Sequence, residues 1–308
     1  MKTAVADSCG RAGQLKAVLR GAATFRRSVA TSPVFRSLPC RLVSLVLVLL
    51  VLTLAAPPAH AEFPYDQETG RETALLVSGA VLFGAGLWAG SGLAPLTPEE
   101  IAVLDRCDVP ALDRGATRRW SPGAATASDI LVYATLAAPI GLIASEPGRD
   151  DAVTSGLMYA ETLTLEMSAV YLLKGAVGRT RPYVYNDDPR IDPAEKQSAT
   201  AVRSFPSGHA ANAFAAMVFF AGTWERLHPD ASGSGWVWGG CLAVAATTSY
   251  LRYAAGRHYP TDILAGAAIG AAAGWLVPKL HERDLVVSGA PGQAGGKAPL
   301  VIGYGLSF

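Results

Sequence analysis

GAAIGAAAG, residues 266–274, contains only one side chain larger than a methyl group, that of Ile269. A run of small residues inside an apolar stretch lets two helices approach closely, so the segment belongs to a helix packed tightly against another. The stretch around it covers about 262–280. Five more of similar length and character lie at about 74–94, 128–145, 152–173, 208–225 and 236–255. Each is long enough to be a buried or membrane-spanning helix. The expectation is an all-α, membrane-associated bundle of about six helices, without internal repeats.

Composition agrees. Half of the 308 residues are hydrophobic, only 17% are charged and 32 are glycine, which is too apolar for an ordinary soluble domain of this size. The formal net charge is +1, and no basic and aromatic interleaving marks a nucleic-acid groove, so nucleic acid is excluded as a partner. Cys9, Cys40, Cys107 and Cys241 show no metal-ligand spacing. Cys107 and Cys241 are expected as unpaired small hydrophobes.

Residues 1–41 carry eight Lys and Arg against one acidic residue, Asp7; LVSLVLVLLVLTLAA follows at 42–56, and then PPAHAEF. A basic region, a short apolar core and an Ala-His-Ala site predict a secretory signal over 1–61, cleaved after Ala61 or retained as an anchor. Residues 62–127 then hold the first apolar helix and a polar loop with four arginines, and 128–283 hold the remaining five stretches. The tail 284–308 is rich in Gly and Pro between two β-prone runs and is expected to be irregular or a short hairpin.

Cationic and imidazole side chains gather at the ends of these stretches. In KGAVGRTRP (174–182), Lys174 and Arg181 are seven residues apart, a spacing that two helical turns would bring onto one face, and Pro182 ends the helix at Arg181. Interface anchoring is the competing reading. In SFPSGHAANAF (204–214), Ser207 is a good N-cap, Gly208 permits close backbone approach, and the amides of a helix start attract an anion that His209 would face. A capped helix with a packed histidine is the alternative. In LRYAAGRHYPTDILAG (251–266), Arg252 ends one helix, His258 lies in the turn and Asp262 opens the next. That aspartate can orient the histidine ring as a nucleophile or base, and it can equally be a plain N-cap. Asp129, Glu161 and Glu166 lie inside apolar stretches and are expected to be bundle-facing groups with polar neighbours.

Several cations, a helix N-terminus, a general acid and an oriented histidine form the inventory that phosphoryl transfer requires. No carboxylate cluster is placed among them to hold Mg²⁺, so no metal or other cofactor is expected.

The three segments resemble the signature of the type 2 phosphatidic acid phosphatase (PAP2) family, whose site is shared with bacterial acid phosphatases and vanadium haloperoxidases. Lys174 with Arg181-Pro182, then Pro206-Ser207-Gly208-His209, then Arg252, His258 and Asp262 match it in order and spacing; Leu251 stands where the pattern has serine. The resemblance covers about 150–280. It implies that His258 attacks phosphorus to form a phosphohistidine, that Asp262 holds its ring, and that His209 protonates the leaving alcohol. It further implies that Lys174, Arg181, Arg252, the Ser207 hydroxyl and the Gly208 amide cradle the phosphate, at the ends of the helices. The implied protein is a metal-independent phosphatase of a phospholipid or polyprenyl phosphate or pyrophosphate in a bacterial cell envelope. A vanadate-dependent haloperoxidase, a lipid phosphotransferase and a silent membrane bundle are the alternatives. If Ala61 is cleaved and all six stretches span, the site faces the cytoplasm, as the arginines of 95–127 also suggest. The resemblance to exported family members favours the periplasmic face, which is the expectation adopted.

Overall fold

The protein is described by a computed structural model over residues 64–144, 152–229 and 232–283; the expected signal over 1–61 and the C-terminal tail 284–308 lie outside the described residues. Six long helices form the bundle: α1 Thr69–Ser91, α2 Pro122–Ile143, α3 Ala152–Val177, α4 Gly208–Leu227, α5 Ser234–Ala254 and α6 Pro260–His281. They coincide with the six apolar stretches. Short helical turns, among them Pro98–Ala102, Ala111–Arg114 and Pro193–Lys196, fill the polar connections.

The helix starts are set by local chemistry. Ser121 and Ser207 accept hydrogen bonds from the backbone amides of Ala124 and Ala210, and proline occupies the first position of α2 and α6, where its missing N–H costs nothing. At the other end of α3, Gly178 takes φ +59° and stops the helix.

The helices alternate in direction. The C-termini of α1, α3 and α5 therefore lie with the N-termini of α2, α4 and α6, and the connections 92–121, 178–207 and 255–259 share one end of the bundle. At the opposite end Tyr65 pairs with Glu282 in an antiparallel bridge, which ties the first described residues to the end of α6.

Packing centres on α4, which touches α2, α3, α5 and α6, while α1 lies against α3. The α4–α6 seam is very close. A Cβ added at Gly266, Gly270 or Gly274 would sit 2.3, 2.0 and 2.5 Å from the carbonyl oxygens of Ser207, Ala211 and Ala215. The glycines recur every fourth residue, so all three lie on one face and one α4 carbonyl seats above each.

The outer surface is apolar. Val81, Trp88, Ile130, Tyr133, Trp236, Tyr250, Leu264 and Trp275 are exposed large hydrophobics, far more than a water-facing surface carries in one band. On α5, Tyr250 near one end and Trp236 near the other are about 21 Å apart along the axis, as interfacial aromatics flanking a hydrocarbon slab are. α1, α2 and α6 are long and apolar enough to cross a membrane; among the described residues the other three long helices do not reach the same measure. In α3, Glu161, Glu166 and Lys174 lower the hydropathy.

One expectation is corrected. Cys107 is disulfide-bonded, whereas Cys241 is free and buried, as expected of a small hydrophobe. Neither the compositional nor the helical pattern around Cys107 marks a cysteine in a polar loop as paired.

The glycine seam makes a testable demand. Gly270→Ala is expected to lower the thermal unfolding temperature of the detergent-solubilised protein, at a cost of roughly 1–3 kcal/mol from overpacking against rigid backbone. Gly239→Ala, where the added methyl meets nothing within 4 Å, is expected to leave it unchanged or slightly raised.

Candidate active site

The shared end of the bundle gathers the chemistry. Helix α3 ends at Val177, and the chain then runs extended through Arg181 (φ −73°, ψ 152°) into Pro182. Lys174 and Arg181 therefore do not stack along a helix, as their seven-residue spacing suggested. They meet because both reach one strip of backbone: Lys174 Nζ donates to the carbonyls of Arg203 (3.0 Å) and Pro206 (2.6 Å), and Arg181 donates to those of Thr200 (2.8 Å) and Arg203 (3.5 Å), and beyond the strip to that of Arg257 (3.2 Å). The strip leads directly into α4.

Ser207 is buried and caps α4 as expected, and its own N–H donates to the Asp262 carbonyl at 2.9 Å. This bond joins the starts of α4 and α6. Gly208 lies against Lys174 and Val170, with room for a Cβ, so close packing does not require glycine there. His209, in the first turn of α4, holds its Nε2 2.7 Å from Asp129 Oδ1 on α2. The same oxygen accepts from Arg252 at 3.0 Å, and Arg252 also donates to Ser128 Oγ.

His258 lies in the turn between α5 and α6, almost wholly buried, with Nε2 3.3 Å from an Arg181 nitrogen. The turn is made possible by Gly256, at φ +70°, where a Cβ would meet the Arg119 carbonyl at 2.0 Å. Burial and then Arg181, Lys174 and Arg252 push the His258 imidazole well below its ordinary value. At neutral pH the ring is therefore neutral and carries a lone pair.

Asp262 Oδ2 is 3.6 Å from His258 Nδ1, in ion-pair range but beyond a hydrogen bond, and Nδ1 has no hydrogen-bond partner. The carboxylate is occupied elsewhere. Oδ1 accepts from Arg179 (2.6 Å), while Oδ2 accepts from Ser204 Oγ (2.5 Å) and the Tyr259 amide (3.0 Å). The cap role and the place beside the ring thus coexist in Asp262, as the sequence allowed.

Arg179 and Asp113 were not singled out from the sequence. Arg179 bridges Asp262 and the buried Asp113 (2.7 Å), and Asp113 also accepts from the amide and hydroxyl of Thr261. Its planar fork suits two carboxylates at once. Asp129 was noted only as a charge in an apolar stretch, yet it contacts both His209 and Arg252. Glu161 meets His281 at the other end of the bundle, and both Glu166 oxygens are buried without a hydrogen bond, so only part of the expected pairing with polar neighbours is found. Among the described residues, the three-residue grouping with metal-ligating geometry is Glu72, Glu161 and His281, remote from these segments.

Comparison with known proteins places this geometry. The family described as the PAP2 superfamily matches residues 155–285. A lipid A 1-phosphatase of Rhizobium johnstonii is 34% identical over 100 residues, 32% of this chain and 37% of that protein. A lipid A 4'-phosphatase of Bacteroides thetaiotaomicron is 35% identical over 96 residues, 30% of this chain and 39% of that protein. The chain thus spans about two fifths of the length of the curated relatives it matches. A transmembrane PAP2 type phosphatidylglycerolphosphate phosphatase from Bacillus subtilis, known from its crystal structure, aligns over 77% of this chain and 94% of its own with 21% identity and a TM-score of 0.39. The matched residues 155–285 carry all three motif segments, so over that part the chain is similar to the PAP2 superfamily.

Proposed function

We propose that this protein is a metal-independent phosphatase that releases phosphate from a lipid phosphate or pyrophosphate through a phosphohistidine intermediate. The observation that carries the reading is the convergence of a buried neutral histidine, His258, with Arg181, Lys174, Arg252 and His209 at one end of an apolar bundle. The cations and the amides at the start of α4 offset the charge on the phosphate oxygens, which is the main requirement of phosphoryl transfer.

In the proposed reaction, the His258 Nε2 lone pair attacks phosphorus and the bond to the leaving oxygen breaks. Its electron pair stays on that oxygen, which takes a proton from His209. Water then attacks the phosphohistidine, giving up a proton to His209 and freeing His258. Asp262, fixed by Arg179, Ser204 and the Tyr259 amide, lies on the far side of the His258 ring and closes on it as positive charge develops. Asp129 accepts from His209 and Arg252 before substrate arrives and so holds both in place.

The substrate class follows from the surroundings. Exposed Ile130, Trp88, Tyr250 and Leu264 border this end of the bundle, so acyl chains can remain in the bilayer while the phosphate reaches the cations. The names of the Rhizobium and Bacteroides relatives favour lipid A phosphate within that class. The periplasmic face is proposed for the site, on its resemblance to exported phosphatases; this orientation requires α1 to enter the membrane from the cytoplasm.

The deciding experiment is phosphate release by purified, detergent-solubilised protein from phosphatidate, phosphatidylglycerol phosphate, undecaprenyl pyrophosphate and lipid A, with EDTA present, beside the His258→Ala variant. Release that persists in chelator and disappears in the variant, together with loss of phosphoenzyme, is expected; substantial residual turnover in the variant would remove the mechanism. His209→Ala is expected to slow lipid phosphates by about 10²–10⁴-fold and activated aryl phosphates much less, because only the poor leaving group needs the proton. Equal losses argue against an acid role. A cysteine at the exposed Asp187, in the connection on the site's side, is expected to react with a membrane-impermeant thiol reagent applied from the periplasm. Protection there, with labelling after lysis, places the site in the cytoplasm instead.

A further inference from the structure

The end of the bundle away from the proposed active site holds three buried ionisable groups from three helices: Glu72 on α1, Glu161 on α3 and His281 on α6. Their inward ligand atoms all lie within 4.8 Å of one another. His281 Nε2 is 2.8 Å from Glu72 Oε2 and 3.2 Å from Glu161 Oε2. From Asp262 to His281 along α6 is about 28 Å, so this cluster is separate from the phosphate chemistry.

We propose that Glu72, Glu161 and His281 form a structural binding site for a divalent transition metal of the zinc or manganese type. Three features point to a ligand rather than to a closed set of ion pairs. Glu161 is fully buried and faces the cluster, and apart from the 3.2 Å approach of His281 Nε2 neither of its oxygens is hydrogen-bonded, an arrangement expensive in an apolar interior unless a cation completes it.

The other two ligands are prepared from outside. His281 Nδ1 donates to the Val277 carbonyl at 2.8 Å, which fixes the ring so that Nε2 faces inward. The outer oxygen of Glu72 is held by Arg71 (2.9 Å) and the Glu68 amide (3.1 Å), leaving Oε2 turned toward the cluster. Such outer contacts are what metal ligands characteristically have.

Charge agrees. A divalent ion takes the place of the proton that His281 would otherwise hold between Glu72 and Glu161, and offsets both carboxylates. Ligand bonds of about 2.0–2.1 Å in a tetrahedral site separate donor atoms by roughly 3.4 Å. The observed 2.8 and 3.2 Å separations need open by only a few tenths of an ångström, within the reach of side-chain adjustment. Asp66, about half exposed beside the less exposed Arg71, is the outermost member of the group and marks the side from which an ion enters. Two carboxylates with one imidazole suit Zn²⁺ or Mn²⁺.

The test uses tag-free, full-length protein in detergent, stripped with EDTA, dialysed and resupplied with Zn²⁺ or Mn²⁺. About one metal per chain by elemental analysis is expected, with the unfolding temperature raised by roughly 5–10 °C at a hundredfold excess over the dissociation constant. Glu161→Gln and His281→Gln, which keep the side-chain volume nearly constant, are expected to lose both responses, while His258→Ala keeps them. The last variant separates this site from the proposed catalytic reading, because it binds metal whether or not the protein is a phosphatase. Absence of bound metal and of any shift in the wild-type protein overturns the proposal and leaves a protonated His281 between two carboxylates. A shift that survives in both glutamine variants overturns it equally, since the ion then binds elsewhere.

Discussion

The close seam between α4 and α6 is the constraint on which the rest of the structure depends. Three glycines of α6 sit beneath the carbonyls of Ser207, Ala211 and Ala215, at the cap and in the first turns of α4, at separations that no side chain could share. Once the helices are in register, the Asp262 carbonyl meets the Ser207 amide, and the two helix starts open side by side. The proposed phosphate site would face both N-termini together, where the partial charges of free amides add.

Electrostatics at that end resolve through hydrogen bonds that are mostly internal. Lys174 and Arg181 point toward the anion site, yet several of their donors bind carbonyls of the strip 200–206 and of Arg257. These side chains are thereby held in place by carbonyl dipoles rather than by opposing full charges. The negative groups are distributed differently. Asp113 and Asp262 are engaged by Arg179, and Asp129 is shared by Arg252 and His209. His258, close to cations and carrying a Nδ1 without a hydrogen bond, is kept neutral, as the proposed nucleophile has to be.

Much of this was legible in the chain. The six helices could be read because a long apolar run in a membrane environment has few alternatives to a helix: its backbone groups must pair internally. The motif residues could be read because Ser207, Gly208 and His209 stand at a helix start, and because His258 and Asp262 are one short turn apart. Arg179, Asp113 and Asp129 were not legible as site members. Their partners lie 66 to 148 residues away, and no local period links them. The Lys174 and Arg181 pair was foreseen for the wrong reason, since Gly178 ends the helix before the second turn the spacing assumed.

Sequence by itself determined the helical class, the positions of the six helices and the presence of the three motif segments, because each rests on interactions within a few residues: apolar runs, caps, proline and glycine stops. Only the tertiary structure decided that the helices alternate so that all three segments share one end. It alone decided that Asp262 is shared among Arg179, Ser204 and the Tyr259 amide, and that Glu72, Glu161 and His281 meet at the far end. The physical reason is range. Backbone hydrogen bonding and capping act between near neighbours along the chain, whereas glycine seams and buried charge pairs join residues whose separation in sequence carries no information about their separation in space.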